Sequence, residues 1–179
     1  MNPEIVFSPN AIADLLAPFE DSQTGITEAR QLPVEHPKEY DRKTGETEWA
    51  SGACFMIPAK LFGELTGFDS KTFFMYCEES EMEHRFNLHG YDNVLLNGPR
   101  IIHLEGEGGK DGKSSRFIRD TYRQQKSEYI YFKLTEPRWK YFLYRTIHPV
   151  LRLTVWLNPN VSFADKWKFT KQLYVSIKL

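Results

Sequence analysis

The spacing of apolar positions changes several times along the chain, and each change predicts an element. Ile5, Val6 and Phe7 form a short apolar run that suits a strand. Ser8-Pro9 then reads as a helix start, with Ser8 as N-cap and Pro9 at the first helical position. Ile12, Leu15, Leu16 and Phe19 fall on one face of that helix. TGITEARQLP reads as a strand ending at Pro33, and the polar, turn-rich residues 34–48 read as an exposed loop. TEWASGACFMIP predicts another strand, with small residues where something must approach closely. Pro58 opens a short helix over 59–65, Gly67-Phe68-Asp69 makes a turn, and the apolar residues 73–76 predict a buried segment.

Residues 78–89 predict a helix that Gly90 stops. Met82 and Phe86 share one of its faces, and Glu81 and Arg85 form an i,i+4 pair. Two short strands are expected at 93–96 and 100–103, followed by the loose stretch EGEGGKDGKSS. Helices at roughly 115–134, 138–157 and 163–178 close the chain, with Pro149 kinking the middle one. Strands alternating with helices predict the α/β class.

Composition adds three points. The 179 residues suffice for one domain with a real core, and the 15% aromatic content suits a flat ligand such as a base, a sugar or a membrane interface. Cys54 and Cys77 lack metal spacing, which favours a reducing compartment. Neither a signal peptide nor a run of about 18 apolar residues is legible, so the expectation is a cytoplasmic protein.

Charge divides the chain unevenly. Residues 133–179 hold nine Lys and Arg against two Asp and Glu, a net of +7. Residues 1–132 hold 14 against 22, a net of −8. Trp139, Trp156 and Trp167 lie in the basic part. The expected organisation is therefore an acidic body, 1–132, and a basic, aromatic helical tail, 133–179. The tail suits either a helix in a membrane interface over 138–178 or a helical pair packed on the body or on a twin subunit. An acidic body argues against nucleic acid as a partner.

The candidate chemistry gathers in FFMYCEESEMEHR. Glu78, Glu79, Glu81 and Glu83 crowd six positions. Four carboxylates this close repel, which raises some of their pKa values unless a cation is present. The competing reading is a solvated first helical turn that suits the helix dipole. His103 ends a strand before a glycine-rich loop, a place where α/β proteins put ligands, although a packed or surface histidine fits equally. Trp49-Ala50-Ser51-Gly52-Ala53-Cys54 reads either as tight packing or as a floor for a planar or sugar group.

In this order, Trp49–Ala53, Thr66-Gly67-Phe68-Asp69, Phe73–Arg85, Gly90-Tyr91 and Ile101-Ile102-His103 resemble glycosyltransferase family 2, particularly its rhamnosyltransferase-like branch. The resemblance covers residues 1 to about 132. It implies a partial GT-A fold lacking its N-terminal nucleotide-binding half, with a C-terminal helical extension. It implies an inverting glycosyltransferase of cell-surface polysaccharide synthesis, taking sugar from a nucleoside diphosphate to a glycan or lipid-linked acceptor. By that resemblance Glu79 is the general base, a glutamate where aspartate is usual. Glu78 and Glu81 bind acceptor hydroxyls or hold the loop, and Trp49, Ser51 and Gly52 shape the sugar floor. Asn2-Pro3-Glu4 matches the metal motif, so Glu4, with His103, would hold Mg²⁺ or Mn²⁺. Lys110 and Lys113, with Ser114, would close over phosphates as a lid. The rival expectation is a catalytically inactive, truncated module that binds glycan or membrane or needs a partner chain. The lipid-linked acceptor would place the protein on the inner face of the plasma membrane.

Overall fold

The computed structural model describes residues 5–33, 38–103 and 113–177, without the side chains of 113–119 and 177. The chain forms two compact units. One comprises Met1–Asp69 and Glu79–Gly108, the other Ser70–Glu78 and Gly109–Leu179.

The first unit is built on β2 (Thr24–Leu32) and β5 (Asp92–His103), which run parallel. Parallel neighbours need a long crossover, and here α2 (Ala59–Glu64) and the body of α3 (Glu78–Leu88) lie on it. β4 (Phe55–Met56) pairs antiparallel with the free edge of β2. On the other edge of β5, β3 (Glu46–Thr47) pairs with its start and β1 (Ile5–Phe7) with its end. The sheet order is β1-β5-β2-β4, with β3 beside β5.

Where two strands were expected over 93–103, β5 is one long strand with an irregularity. Its pairing with β2 jumps from Leu96 to Arg100 while β2 advances by one residue. Asn97-Gly98-Pro99 fills the gap, as a proline without an N–H suits a bulge. Arg30 holds the bulge by donating to Asn97 Oδ1 at 2.8 and 2.6 Å.

α1 (Ala11–Leu16) starts later than Ser8-Pro9 suggested, with Asn10 at its N-cap. Ser8 is used elsewhere: its N–H donates to Arg100 O at 2.9 Å and its Oγ accepts from Arg100 N at 3.0 Å, prolonging the β1 ladder. Of the predicted helix face, Leu15 is buried while Ile12 and Leu16 are exposed. Thr27 Oγ1 donates to Leu15 O at 2.8 Å and ties the helix to β2.

Two apolar clusters surround β2. Leu15, Ala29 and Ile101 form one, and Ile26, Ala50, Leu61, Met82 and Phe86 the other. Met82 and Phe86 share the buried face of α3 as their spacing required. The expected burial of 73–76 holds for Phe73 alone; Phe74 is exposed.

The second unit holds α4 (Lys113–Thr135), α5 (Arg138–Arg152) and α6 (Phe163–Ile177). Just past Pro149, α5 passes into a 3₁₀ turn over Leu153–Leu157. Val161, Phe169 and Leu173 make one buried cluster, and Tyr129 of α4 is buried against Tyr144 and His148 of α5.

Candidate functional site

β2 is buried along most of its length, yet it carries Glu28 and Gln31 at 1% and 3% exposure. Glu28 shares the inward face with Ile26, as the two-residue period of a strand requires. A carboxylate there must be paired or protonated. Lys38 forms an ion pair with it, both side chains almost wholly out of solvent. The Glu28 pKa is raised by burial, which the Lys38 charge, its hydrogen bond and the Ser51 amide counter only in part.

The stretch 47–58 was expected to be one strand, but only its ends pair, Thr47 with β5 and Phe55–Met56 with β2. The small residues leave the ladder because side-chain carboxylates satisfy their amides instead. Ala50 N donates to Glu83 Oε2 at 3.0 Å, and Ser51 N donates to Glu28 Oε1 at 2.9 Å. Ser51 Oγ then accepts from Ala53 N at 3.4 Å. At Gly52 the third carboxyl arrives: a Cβ there would stand 3.1 Å from Glu79 Oε1 and 3.3 Å from its carboxyl carbon. Three successive residues of the loop thus face three carboxyl groups.

Glu79 and Glu83 are one helical turn apart on α3, yet their surroundings differ. Glu83 is fully buried beside Met82 and Phe86, and its Oε1 has no hydrogen-bond partner. Burial drives its pKa well above the ordinary 4.5; the Ala50 amide pulls it back, while Glu79 and Glu28 push it further up. Burial therefore favours the neutral form of Glu83, which fills an interior position. Glu79 is only half-buried, over Gly52. The residues just before α3 are strained, since Tyr76 and Cys77 take φ of 68° and 64°. Consecutive left-handed non-glycine residues are costly and cluster at functional sites.

The other expected residues are placed as follows. Trp49 O accepts from Lys38 Nζ at 3.3 Å, and the Lys38 ammonium lies 4.3 Å from the centre of the Trp49 ring. Trp49 also lines an open cleft of about 1030 Å³ with Tyr40, Glu48, Asn87, Tyr91 and Asn93, which Glu79 does not line. Glu81 is engaged by Arg85 at 2.7 and 2.9 Å. Arg85 in turn donates to Leu65 O, and to Thr66 Oγ1 at 3.1 Å and Gly67 O at 2.5 Å, fixing the turn after α2. Glu78 opens α3.

His103 ends β5, opposite Ile5, with its Nδ1 3.4 Å from Gln31 Oε1. Glu4 and Lys110 lie outside the described residues, as does the Lys113 side chain. Among the described residues no group of three or more His, Cys, Asp or Glu stands together to hold a metal.

Glu28 and Lys38 escaped sequence reasoning, and Glu83 entered it only as part of a crowd. The signals were present. Glu28 lies two residues from Ile26 on a strand, and Glu83 three before Phe86 on a helix, both in register with the core.

No family model matches the chain. It is 31% identical over 101 residues to N-acetylglucosaminyl-diphospho-decaprenol L-rhamnosyltransferase of Mycobacterium tuberculosis, in strain CDC 1551 / Oshkosh and in strain ATCC 25618 / H37Rv. That stretch is 56% of this chain and 31% of each relative, so the chain spans about a third of the length of the curated relatives it matches. Among solved structures it is similar to the crystal structure of GalNAc-T7 with UDP, GalNAc and Mn²⁺. The TM-score is 0.59 at 15% identity, over 95% of this chain and 36% of that one. The α/β fold is GT-A-like, as the motifs led one to expect.

Two predictions follow from the carboxyl cluster. Lys38→Met leaves Glu28 buried without its partner and is expected to cost about 3–5 kcal/mol in urea unfolding. The double variant Glu28→Gln/Lys38→Met removes the stranded charge, keeps an acceptor for Ser51 N and recovers most of that loss; a cost below about 1 kcal/mol for the single variant contradicts the pairing. Glu83 acts in the opposite sense with pH. Its folded pKa lies above the unfolded one, so its stability contribution is full below about 4.5 and is lost as pH rises through the folded value. Glu83→Gln cannot ionise and still accepts from Ala50 N. Its melting temperature should gain on the native protein as pH rises from 4 to 8, whereas a constant offset would show that Glu83 titrates normally.

Proposed function

We propose that the chain belongs to a glycosyltransferase that moves a sugar from a nucleoside diphosphate to a hydroxyl of a glycan or lipid-linked acceptor, with Glu79 as general base. One observation carries this reading: Glu79 is the half-open member of the carboxyl set, laid over Gly52 on a loop that the two buried carboxyls hold. The partial similarity to a rhamnosyltransferase and the GT-A-like fold support it.

In the proposed step the acceptor oxygen attacks the anomeric carbon as the bond to the diphosphate breaks on the opposite face. The configuration inverts, the acceptor proton passes to a Glu79 carboxylate oxygen, and the nucleoside diphosphate leaves with the bonding electrons. A base must sit within hydrogen-bond reach of the proton it takes. The missing side chain at Gly52 lets the Glu79 carboxyl lie directly against the loop. Glutamate in place of aspartate adds one methylene of reach, and the clamped loop limits how that reach is used. Trp49, Ser51 and Gly52 form the floor under the transferred sugar. Glu78 accepts from acceptor hydroxyls, and Glu81 holds the 65–67 turn through Arg85. Mg²⁺ or Mn²⁺ on the donor diphosphate would neutralise the leaving group, as a divalent ion does in such chemistry. A lipid-linked acceptor would bring the enzyme to the cytoplasmic face of a membrane.

General bases contribute about 10²–10⁴-fold in rate. Glu79→Gln in the full-length protein should therefore lower transfer from a nucleotide sugar by that factor, with the melting temperature unchanged. Gly52→Ala, which pushes a methyl group against the same carboxyl, should lower kcat by about tenfold or more. Activity retained within twofold in Glu79→Gln removes Glu79 as the base.

A further inference from the structure

α5 is turned inside out. A helix in a soluble protein lays its apolar stripe on the core and its polar stripe toward water. In α5 the packed stripe is Tyr141, Tyr144, His148 and Arg152. Tyr144 donates to Glu128 Oε2 at 2.7 Å and stacks on Phe132 at 4.1 Å; Tyr129 Oη and His148 Nδ1 are 3.1 Å apart; Arg152 Nε donates to His148 Nε2 at 3.0 Å. The stripe on the other side is Trp139, Phe142, Leu143, Ile147, Val150 and Leu151. All six are exposed, with Trp139 at 65%, Phe142 at 70% and Val150 at 66%.

The helical spacing that gathers these six places Arg138 and Arg145 along one border and Lys140, paired with Glu136 at 2.9 Å, along the other. Charge selects the occupant. From 137 to 164 the sequence has no Asp or Glu and four Lys or Arg. A second copy packed α5 against α5 offers no carboxylate on that helix to meet Arg138 and Arg145. An anionic lipid surface meets both features at once: basic side chains reach headgroup phosphates while the stripe enters the acyl boundary. Trp139 suits the headgroup level. No helix among the described residues is long and apolar enough to cross a membrane, and the 15 residues of α5 fit a helix lying in its plane.

We infer that the outer face of α5 is a binding surface for an anionic bilayer, seated through Phe142, Leu143 and Val150 and bordered by Arg138 and Arg145. The inference goes beyond the transfer reading and does not need it, since it rests on a surface of the helical unit alone.

Co-sedimentation of the full chain with phosphatidylcholine vesicles, with and without about 30% phosphatidylglycerol, tests it. The protein should pellet with the anionic vesicles at least tenfold more strongly than with the neutral ones, and less in high salt. Phe142→Ser/Val150→Ser, which alters only outward side chains, should lose that binding by tenfold or more with an unchanged melting temperature. Arg138→Glu/Arg145→Glu should lose the preference for the anionic lipid. Glu79→Gln should bind like the native chain, so failure of the base assignment leaves this result standing. The inference is overturned if the native chain ignores anionic vesicles, whether it sediments as a dimer or a monomer, or if Phe142→Ser/Val150→Ser binds as well as the native protein.

Discussion

A carboxyl group taken out of water must either find a positive partner or keep its proton, and the first unit depends on both solutions side by side. Glu28 takes the first through Lys38, and Glu83 takes the second in the apolar surroundings of Met82 and Phe86. Each spends one oxygen on a backbone amide of the loop after Trp49. Those amides would otherwise be unpaired in a buried place, which is costly. The loop therefore has no need of a strand ladder, and it can carry its small residues past α3 at the distance that lets Glu79 rest over Gly52.

This arrangement separates three acids of the same chemical type by surroundings alone. Glu28 is paired, Glu83 is pushed toward its neutral form by burial, and Glu79 keeps access to solvent. Glu81 is held by Arg85 and fixes the turn after α2. The glutamate crowd at 78–83 is thus not one site with equal members. It is one half-open carboxyl supported by neighbours with separate structural duties.

Much of the fold was legible because it follows periodicity. The strand β2, the helix before Gly90 and the three closing helices come from apolar spacing and from breakers that act locally; the parallel pairing of β2 with a single long β5 does not. The Ser8-Pro9 helix start misled because a serine can prolong a ladder as readily as it can cap a helix, and Arg100 decides between them from far along the chain. The strand expected through Trp49–Cys54 misled for a similar reason: the partners of its amides are side chains of β2 and α3, which no local pattern displays. Glu79 was reached through resemblance, and its setting over Gly52 came only with the structure. In the second unit the basic, aromatic composition pointed to an interface, but the sequence pattern did not reveal that α5 packs through its polar stripe.

Two buried carboxyls, rather than backbone pairing, hold the loop that carries Gly52. Amide hydrogen exchange at Ala50 and Ser51 tests this most directly, because both lie outside any helix or strand. Protection comparable to that of the β2 amides is expected, since both N–H groups are buried and bonded to Glu83 and Glu28. Exchange as fast as at the exposed turn around Lys43 and Thr44 would show that the loop is not clamped, and the placement of Glu79 would lose its support.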